Sequence, residues 1–506
     1  MSSCDMDVDV VIDPLTSLPN EVLDILLANL RHNSIDAYCL KSTCTRLNGF
    51  VAASMLHPRT ISTKVEIPSV LTSHLHLSIM TLPVISSLQC NALRYGHCDS
   101  FIYLRGISEN LITPKEWVSA VVQGNQLTCL QKLLSTEMKP VQSTYQQVLY
   151  DSAKFNSLDC AKYAVANGAN VQGGDNHAIR LAANYGNLSV VRHLHVNQAN
   201  IRARRDEALR HAATLGHLEV VKYLHLNGAD IHACSEDAIR GAATNGHLEV
   251  VEYLYSNGAN IHSCDDSAFR SAAENGHLDV VKYLESKGAN IHARDEYAFC
   301  RACRNGHLKV AQYLFSQGAD IHAQDALRLA ARNGHLEVVQ FLCTNGADIH
   351  IQDDQSLRWA AENGHLEIVD HLVSNGATID AEDDEAICLA ATNGVLEVVK
   401  YLHSNGASIH ACDNHPIREA ASHGWLELVK YLHSEGADIR ACDDFAIRHA
   451  AFGGHLEVVK FLHWAGADIH ADNNYALSVS ITFGFFDIMN FIIEVSKTRR
   501  ALGAQM

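Results

Sequence analysis

Histidine and cysteine are the side chains of this sequence best equipped for chemistry, and both recur at fixed intervals. The 31 histidines raise the question of metal binding. His217, His247, His277, His307, His335, His365 and His455 each follow a glycine, while His232, His262, His292, His322, His350, His410 and His470 each follow an isoleucine. A zinc ion needs ligands converging within about 2.0–2.3 Å. Rings that recur once per module lie roughly a helix-packing distance apart, about 8–10 Å, and do not share an ion. These histidines are expected instead to hydrogen-bond the turn of their own or the next module. Cys300 and Cys303, in Cys-Arg-Ala-Cys, have a zinc-like spacing, but no second Cys or His pair completes a set; both are expected on a helix as packing residues. Cys234 with Cys264, and Cys412 with Cys442, share a phase in adjacent modules, too far apart for the roughly 7 Å Cα limit of a disulfide. Reduced thiols are the expectation throughout. The sequence has no glycine-rich phosphate loop, HExxH or GxSxG, so neither an enzyme nor a cofactor is expected.

The element that positions these residues is the phrase GHLEVVKYL with its tail NGADIHA. Its glycine falls at Gly216, Gly246, Gly276, Gly306, Gly334, Gly364, Gly394, Gly424 and Gly454, with looser copies at Gly186 and Gly484. The step is 30 residues, except 28 between Gly306 and Gly334. A period of this size means a stack in which each module packs on its neighbours. Within residues 234–264, Ala238, Ile239, Ala242 and Ala243 line one face of a first helix, and Glu236 or Asp237 is expected to cap it. Asn245-Gly246 stops that helix, because glycine enters the left-handed region without the Cβ penalty. Leu248, Val251 and Leu254 line a second helix, which Asn257-Gly258 ends. The paired alanines let the two helices approach closely.

These residues resemble the ankyrin repeat: GHLEVVKYL and NGADIHA are similar to that family's second helix and following turn. The resemblance implies an all-α, ankyrin-type helical solenoid, here of short 30-residue repeats. The family's usual unit is 33 residues and opens with Thr-Pro-Leu-His, whereas here the opening reads Ala-Ile-Arg, as at Ala238-Ile239-Arg240 and Ala446-Ile447-Arg448. A shortened finger follows, and the family's usual tip contacts do not transfer. The LHSNGADIHA wording resembles the ankyrin families of giant DNA viruses that infect amoebae.

A net charge of −18 argues against a nucleic-acid partner, whose phosphates call for Lys and Arg. No run of 18 apolar residues occurs, so no membrane span is expected, and the acidic start lacks the order of a secretory signal. A cytoplasmic or nuclear location is expected, the host cytoplasm if the chain is viral. Residues 1–12 read as an acidic, disordered start, and 13–52 as a small helical segment. In it, LPNEVLDILLANL and CLKSTCTRLNGF resemble the F-box, with Leu47 nearest to that family's usual tryptophan. The resemblance implies docking on a Skp-type adaptor of a cullin–RING ubiquitin ligase through Leu18, Pro19, Val22, Ile25, Leu26 and Leu30. Residues 53–84 read as a linker, 85–495 as about 13–14 repeats with degenerate ends, and 496–506 as a tail.

Binding specificity is expected where otherwise identical repeats differ. The position after the Ile-Arg pair or its equivalent reads Ser271, Arg301, Leu329, Trp359 and Leu389 in five successive repeats, and the position after the paired alanines or their equivalent reads Glu274, Arg304, Arg332, Glu362 and Thr392. Arg301, Arg304, Arg332, Trp359 and Glu362 are therefore candidates for holding a protein partner, with Trp359 as an aromatic anchor or as filler against the second helix. Asp383 and Asp384 join them, because the acids at 353–354 and 382–385 exceed what helix capping requires and would steer basic segments. The functional expectation is recruitment of a target protein to an SCF-type ubiquitin ligase. The alternative is an ankyrin scaffold with no ligase role.

Overall fold

The computed structural model describes residues 90–96, 98, 101, 113–136, 141–323 and 326–503. The expected F-box-like segment and its six adaptor-facing residues lie outside them. Among the described residues every regular element is a helix. The chain divides into two compact bodies, Met1–Gly241 and Ala242–Met506, and the described residues of each form a succession of helix pairs.

Residues 259–288 show how one pair forms. The second helix, Leu278–Ser286, buries Val280, Val281 and Leu284, and the preceding helix buries Ala268, Phe269, Ala272 and Ala273. In the repeat before it, Ala242, Ala243, Val251 and Leu254 are buried as expected, with Val250 beside them, while Leu248 is only half-buried. The first helix ends in a double turn: the His277 N–H donates to the Ala272 carbonyl at 2.9 Å and the Gly276 N–H to Ala273 at 3.2 Å. Such an ending needs a left-handed residue, and Gly276 supplies φ +81° without a Cβ clash.

The shortened finger is a single left-handed turn. Cys264, Asp265 and Asp266 all have φ between 55° and 58°, and equivalent triplets open the first helix at 204–206, 234–236, 294–296, 352–354, 382–384, 412–414, 442–444 and 472–474. Left-handed backbone costs an L-residue roughly 1–2 kcal/mol, so three in a row must be held by their surroundings. Asp and Asn, frequent in these triplets, tolerate the region better than most residues. The 28-residue repeat differs: its first helix is only Ala326–Arg332, and none of its described non-glycine residues has positive φ.

Two expectations need correction. Thiols were expected to be reduced throughout, yet Cys98 and Cys129 are joined, with Cα atoms 5.7 Å apart. Both belong to degenerate copies, where cysteines fall out of the regular phase and so escape the spacing that keeps equivalent atoms apart. Cys234, Cys264, Cys412 and Cys442 are free and exposed. The finger acids, secondly, do not serve mainly as caps of their own helix; the last residue of the triplet turns to the next repeat.

Candidate interaction surface

Three sets of side chains tie each finger and helix end to its neighbours, and they determine what is left for a partner. The arginine of Ala-Ile-Arg braces the left-handed turn. Arg270 donates from Nε to the Asp265 carbonyl at 2.8 Å and from Nη2 to the Cys264 carbonyl at 2.9 Å. Arg358 does the same to Asp353 (3.1 Å) and Gln352 (2.7 Å), and Arg448 to Asp443 (2.8 Å) and Cys442 (3.1 Å). A planar guanidinium presents donors in a fixed fork, which suits two consecutive carbonyls. In the sequence this arginine stands out only as a departure from the family opening. Its constant offset from the acidic triplet was the signal that could have shown its role.

The third triplet residue clamps the following repeat. Asp354 accepts from the Thr378 N–H at 3.1 Å, Asp384 from Ser408 at 3.0 Å, and Asp444 from Asp468 at 2.8 Å. The histidine of Ile-His faces the same carboxylate: His262 Nδ1 lies 2.8 Å from Asp266 and His350 Nδ1 lies 3.1 Å from Asp354. In body Met1–Gly241 the pairing recurs as His232 with Glu236 at 2.7 Å.

The histidine after the repeat glycine caps the helix of the repeat before. Its Nε2 donates to the Asn184 carbonyl from His217, to Thr244 from His277 and to Arg332 from His365, each at 3.0 Å. These carbonyls belong to helix ends, where the last four have no partner within the helix. Asn187 donates to Ala153 in the same way at 2.7 Å, and Trp425 uses its indole N–H on Thr392 at 3.0 Å. The ring also explains the glycine beneath it, since a Cβ on Gly276 would lie 2.5 Å from His307 Nδ1. The expectation that these histidines bond the turn of their own or the next repeat is corrected: they reach the helix end of the preceding one.

Among the described residues no three His, Cys, Asp or Glu side chains cluster to hold a metal. Cys300 and Cys303 are both buried, and burial, with Cys300 beside it, holds the Cys303 thiol well above its ordinary pKa.

The candidate partner residues fare differently. Asp384 is half-buried and occupied by Ser408, and Glu385 pairs with Arg358, so the acidic excess at this finger is partly internal; Asp383 is exposed. Trp359 lies under two guanidiniums of the preceding repeat, Arg328 at 5.2 Å and Arg332 at 5.1 Å from its ring centroid. It is half-buried there, held by cation–π contacts from first-helix arginines. Arg301 packs over Tyr297 of its own helix at 4.7 Å. Arg304 and Arg332 are exposed, and Glu362 is half-buried. These residues therefore share the first-helix line of neighbouring repeats, as their spacing predicted.

Several exposed apolar side chains went unanticipated. Phe452, Trp464, Ile481, Phe483 and Phe486 are exposed near the last repeats, with Phe452 and Phe483 in edge-to-face contact at 5.3 Å. Ile481 is 58% exposed, although the alanine at its position in the preceding repeat, Ala451, is fully buried. The aromatic-rich wording FGFFDIMNFIIEV carried that signal.

Helix pairs repeated on a short period, with a constant core and a varied exposed line, define a stacked protein-binding module. The family profile described as "Ankyrin repeats (3 copies)" matches in overlapping segments from 149–235 to 417–501, and the chain belongs to the ankyrin-repeat family. No curated protein matches the chain. Among the described residues no helix is long and apolar enough to cross a membrane.

Proposed function

We propose that this chain recruits a target protein, held by the ankyrin repeats, to a Skp-type adaptor of a cullin–RING ligase, held by residues 13–52. The protein-binding half of the reading rests on one observation: the repeats keep their core packing while the exposed and half-buried first-helix residues change through Arg301, Arg304, Arg332, Trp359 and Glu362. The adaptor half is supported by the likeness of LPNEVLDILLANL to the F-box. The work is done in the cytosol or nucleus, and the giant-virus wording of the repeats makes a host-cell target the natural one.

The test is affinity capture with the full chain, the Leu18→Ala/Leu26→Asp variant, and a variant reversing charge at Arg304 and Arg332. Recruitment requires that the first variant lose the adaptor and keep the target, and that the second do the reverse. If the wild-type chain recovers a target but no adaptor, the protein is an ankyrin scaffold without a ligase link.

A further inference from the structure

Three repeats with the left-handed turn carry Cys300, Cys388 or Ser478 where the others have the brace arginine, and at Cys388 the replacement sets up different chemistry. The opening there reads Ala386-Ile387-Cys388, so no guanidinium is present to take the carbonyls of the left-handed turn Glu382–Asp384. The next repeat supplies the substitute. Cys412, first residue of the following left-handed turn, points its thiol at the Asp383 carbonyl, 3.9 Å away, the carbonyl that an arginine at 388 would have taken. The side chains at these two positions do meet in a braced repeat, where Arg448 Nη1 donates to Asp472 at 2.7 Å, and Cys412 is among the groups that push the Cys388 thiol up. Cys388 is buried and Cys412 is exposed.

The pairing is specific to this place. Cys234, Cys264 and Cys442 hold the same turn position as Cys412, but the residues 24 positions before them are Arg210, Arg240 and Arg418. Cys388 and Cys412 are the only two cysteines in the sequence with that separation.

We propose that Cys388 and Cys412 form a redox-modifiable pair that peroxide closes to a disulfide between adjacent repeats and that thiol reductants reopen. The exposed Cys412 reacts first: its thiolate attacks a peroxide oxygen, the O–O bond breaks, and one water leaves after proton uptake, giving a sulfenic acid. The Cys388 thiolate then attacks the Cys412 sulfur, the S–O bond breaks, and the hydroxide leaves as a second water with the proton from Cys388. Two thiols and one hydrogen peroxide thus give one disulfide and two waters, the two electrons passing from sulfur to peroxide oxygen. The order of events follows from access. Burial, with Cys412, Asp384 and Glu385 adding to it, pushes the Cys388 thiol up to about 12, so Cys388 is a poor first nucleophile and serves as the resolving partner. The closed pair ties two repeats together where the arginine brace is missing, and a transient disulfide of this kind is compatible with a reducing compartment.

Peptide mapping of the full chain after hydrogen peroxide and alkylation tests this directly. Tryptic cleavage after Arg358, Lys400 and Arg418 leaves Cys388 on 359–400 and Cys412 on 401–418, each the only cysteine of its peptide. The expected product is those two peptides joined, lost on treatment with dithiothreitol and absent from Cys412→Ser. Cys388→Arg, which restores the usual brace, should also remove the product while keeping the repeat folded. Mixing isotopically light and heavy chains should give only like-with-like links. The proposal is overturned if Cys412 ends as a sulfinic acid or in a link between chains while Cys388 remains fully alkylatable after unfolding.

Discussion

Two neighbouring repeats use the same arginine position in different ways. In the repeat with a full finger, Arg358 forks onto the Gln352 and Asp353 carbonyls and pairs with Glu385 of the next repeat. In the 28-residue repeat, Arg328 is followed by the same kind of helix but has no left-handed turn to hold among the described residues. It donates instead to the Gln352 side chain at 2.7 Å and to Gln355, and its guanidinium covers Trp359. The difference teaches that turn and arginine are a single device. The contact between first helices is common to both, since the bracing Arg270, Arg418 and Arg448 also lie over Tyr297, Phe445 and Tyr475.

The sharpest way to break that comparison is to truncate both arginines. Arg270→Ala, in a full-finger repeat, leaves the Cys264 and Asp265 carbonyls without their charged donor and should cost about 1.5–3 kcal/mol, the range for hydrogen bonds to charged groups. Arg328→Ala should cost about 1 kcal/mol, mainly the cation–π contact. Urea titration with hydrogen exchange resolved by repeat would measure both, and equal losses would end the distinction.

Next in size is the clamp. Asp354→Ala removes the acceptor of the Thr378 N–H in a buried place and should cost about 1–2 kcal/mol, whereas the exposed Asp353→Ala should stay within about 0.5 kcal/mol. His277→Ala, which uncaps Thr244, should cost about 1 kcal/mol. His277→Asn should recover part of it, since Asn187 already does that work elsewhere. A smaller change of opposite sign is expected from Asp443→Gly: at φ 61° the glycine relieves left-handed strain and should stabilise by up to about 1 kcal/mol.

The pH response sharpens the comparison from the side of the short repeat. His335 has its pKa held below the ordinary imidazole value, first by burial and then by His307 and His365. In this case the unfolded chain takes up a proton first as pH falls. Stability is therefore intact above the ordinary histidine pKa and declines as pH drops through it, until the folded protein is protonated too. Replacing His335 with Asn should flatten the stability-against-pH curve below about pH 6.5, as read by thermal melts across pH 5–8.

The sequence determined the repeat, its helix pair, its glycine stops and its core alanines and valines, because those follow from periodicity and from the conformational limits of single residues. It also placed Arg304, Arg332 and Trp359 on one line, since spacing along a helix fixes a face. Tertiary structure alone decided where the polar groups go. Arg270 reaches the turn carbonyls of its own finger, Asp384 reaches forward to Ser408, and His277 reaches back to Thr244. The bonds of Asp384 and His277 depend on a stacking offset that no local residue pattern encodes, whereas those of Arg270 go with its constant spacing from the triplet. The partners of Asp384 and His277 lie 24 and 33 residues away, within reach only once one repeat rests on the next.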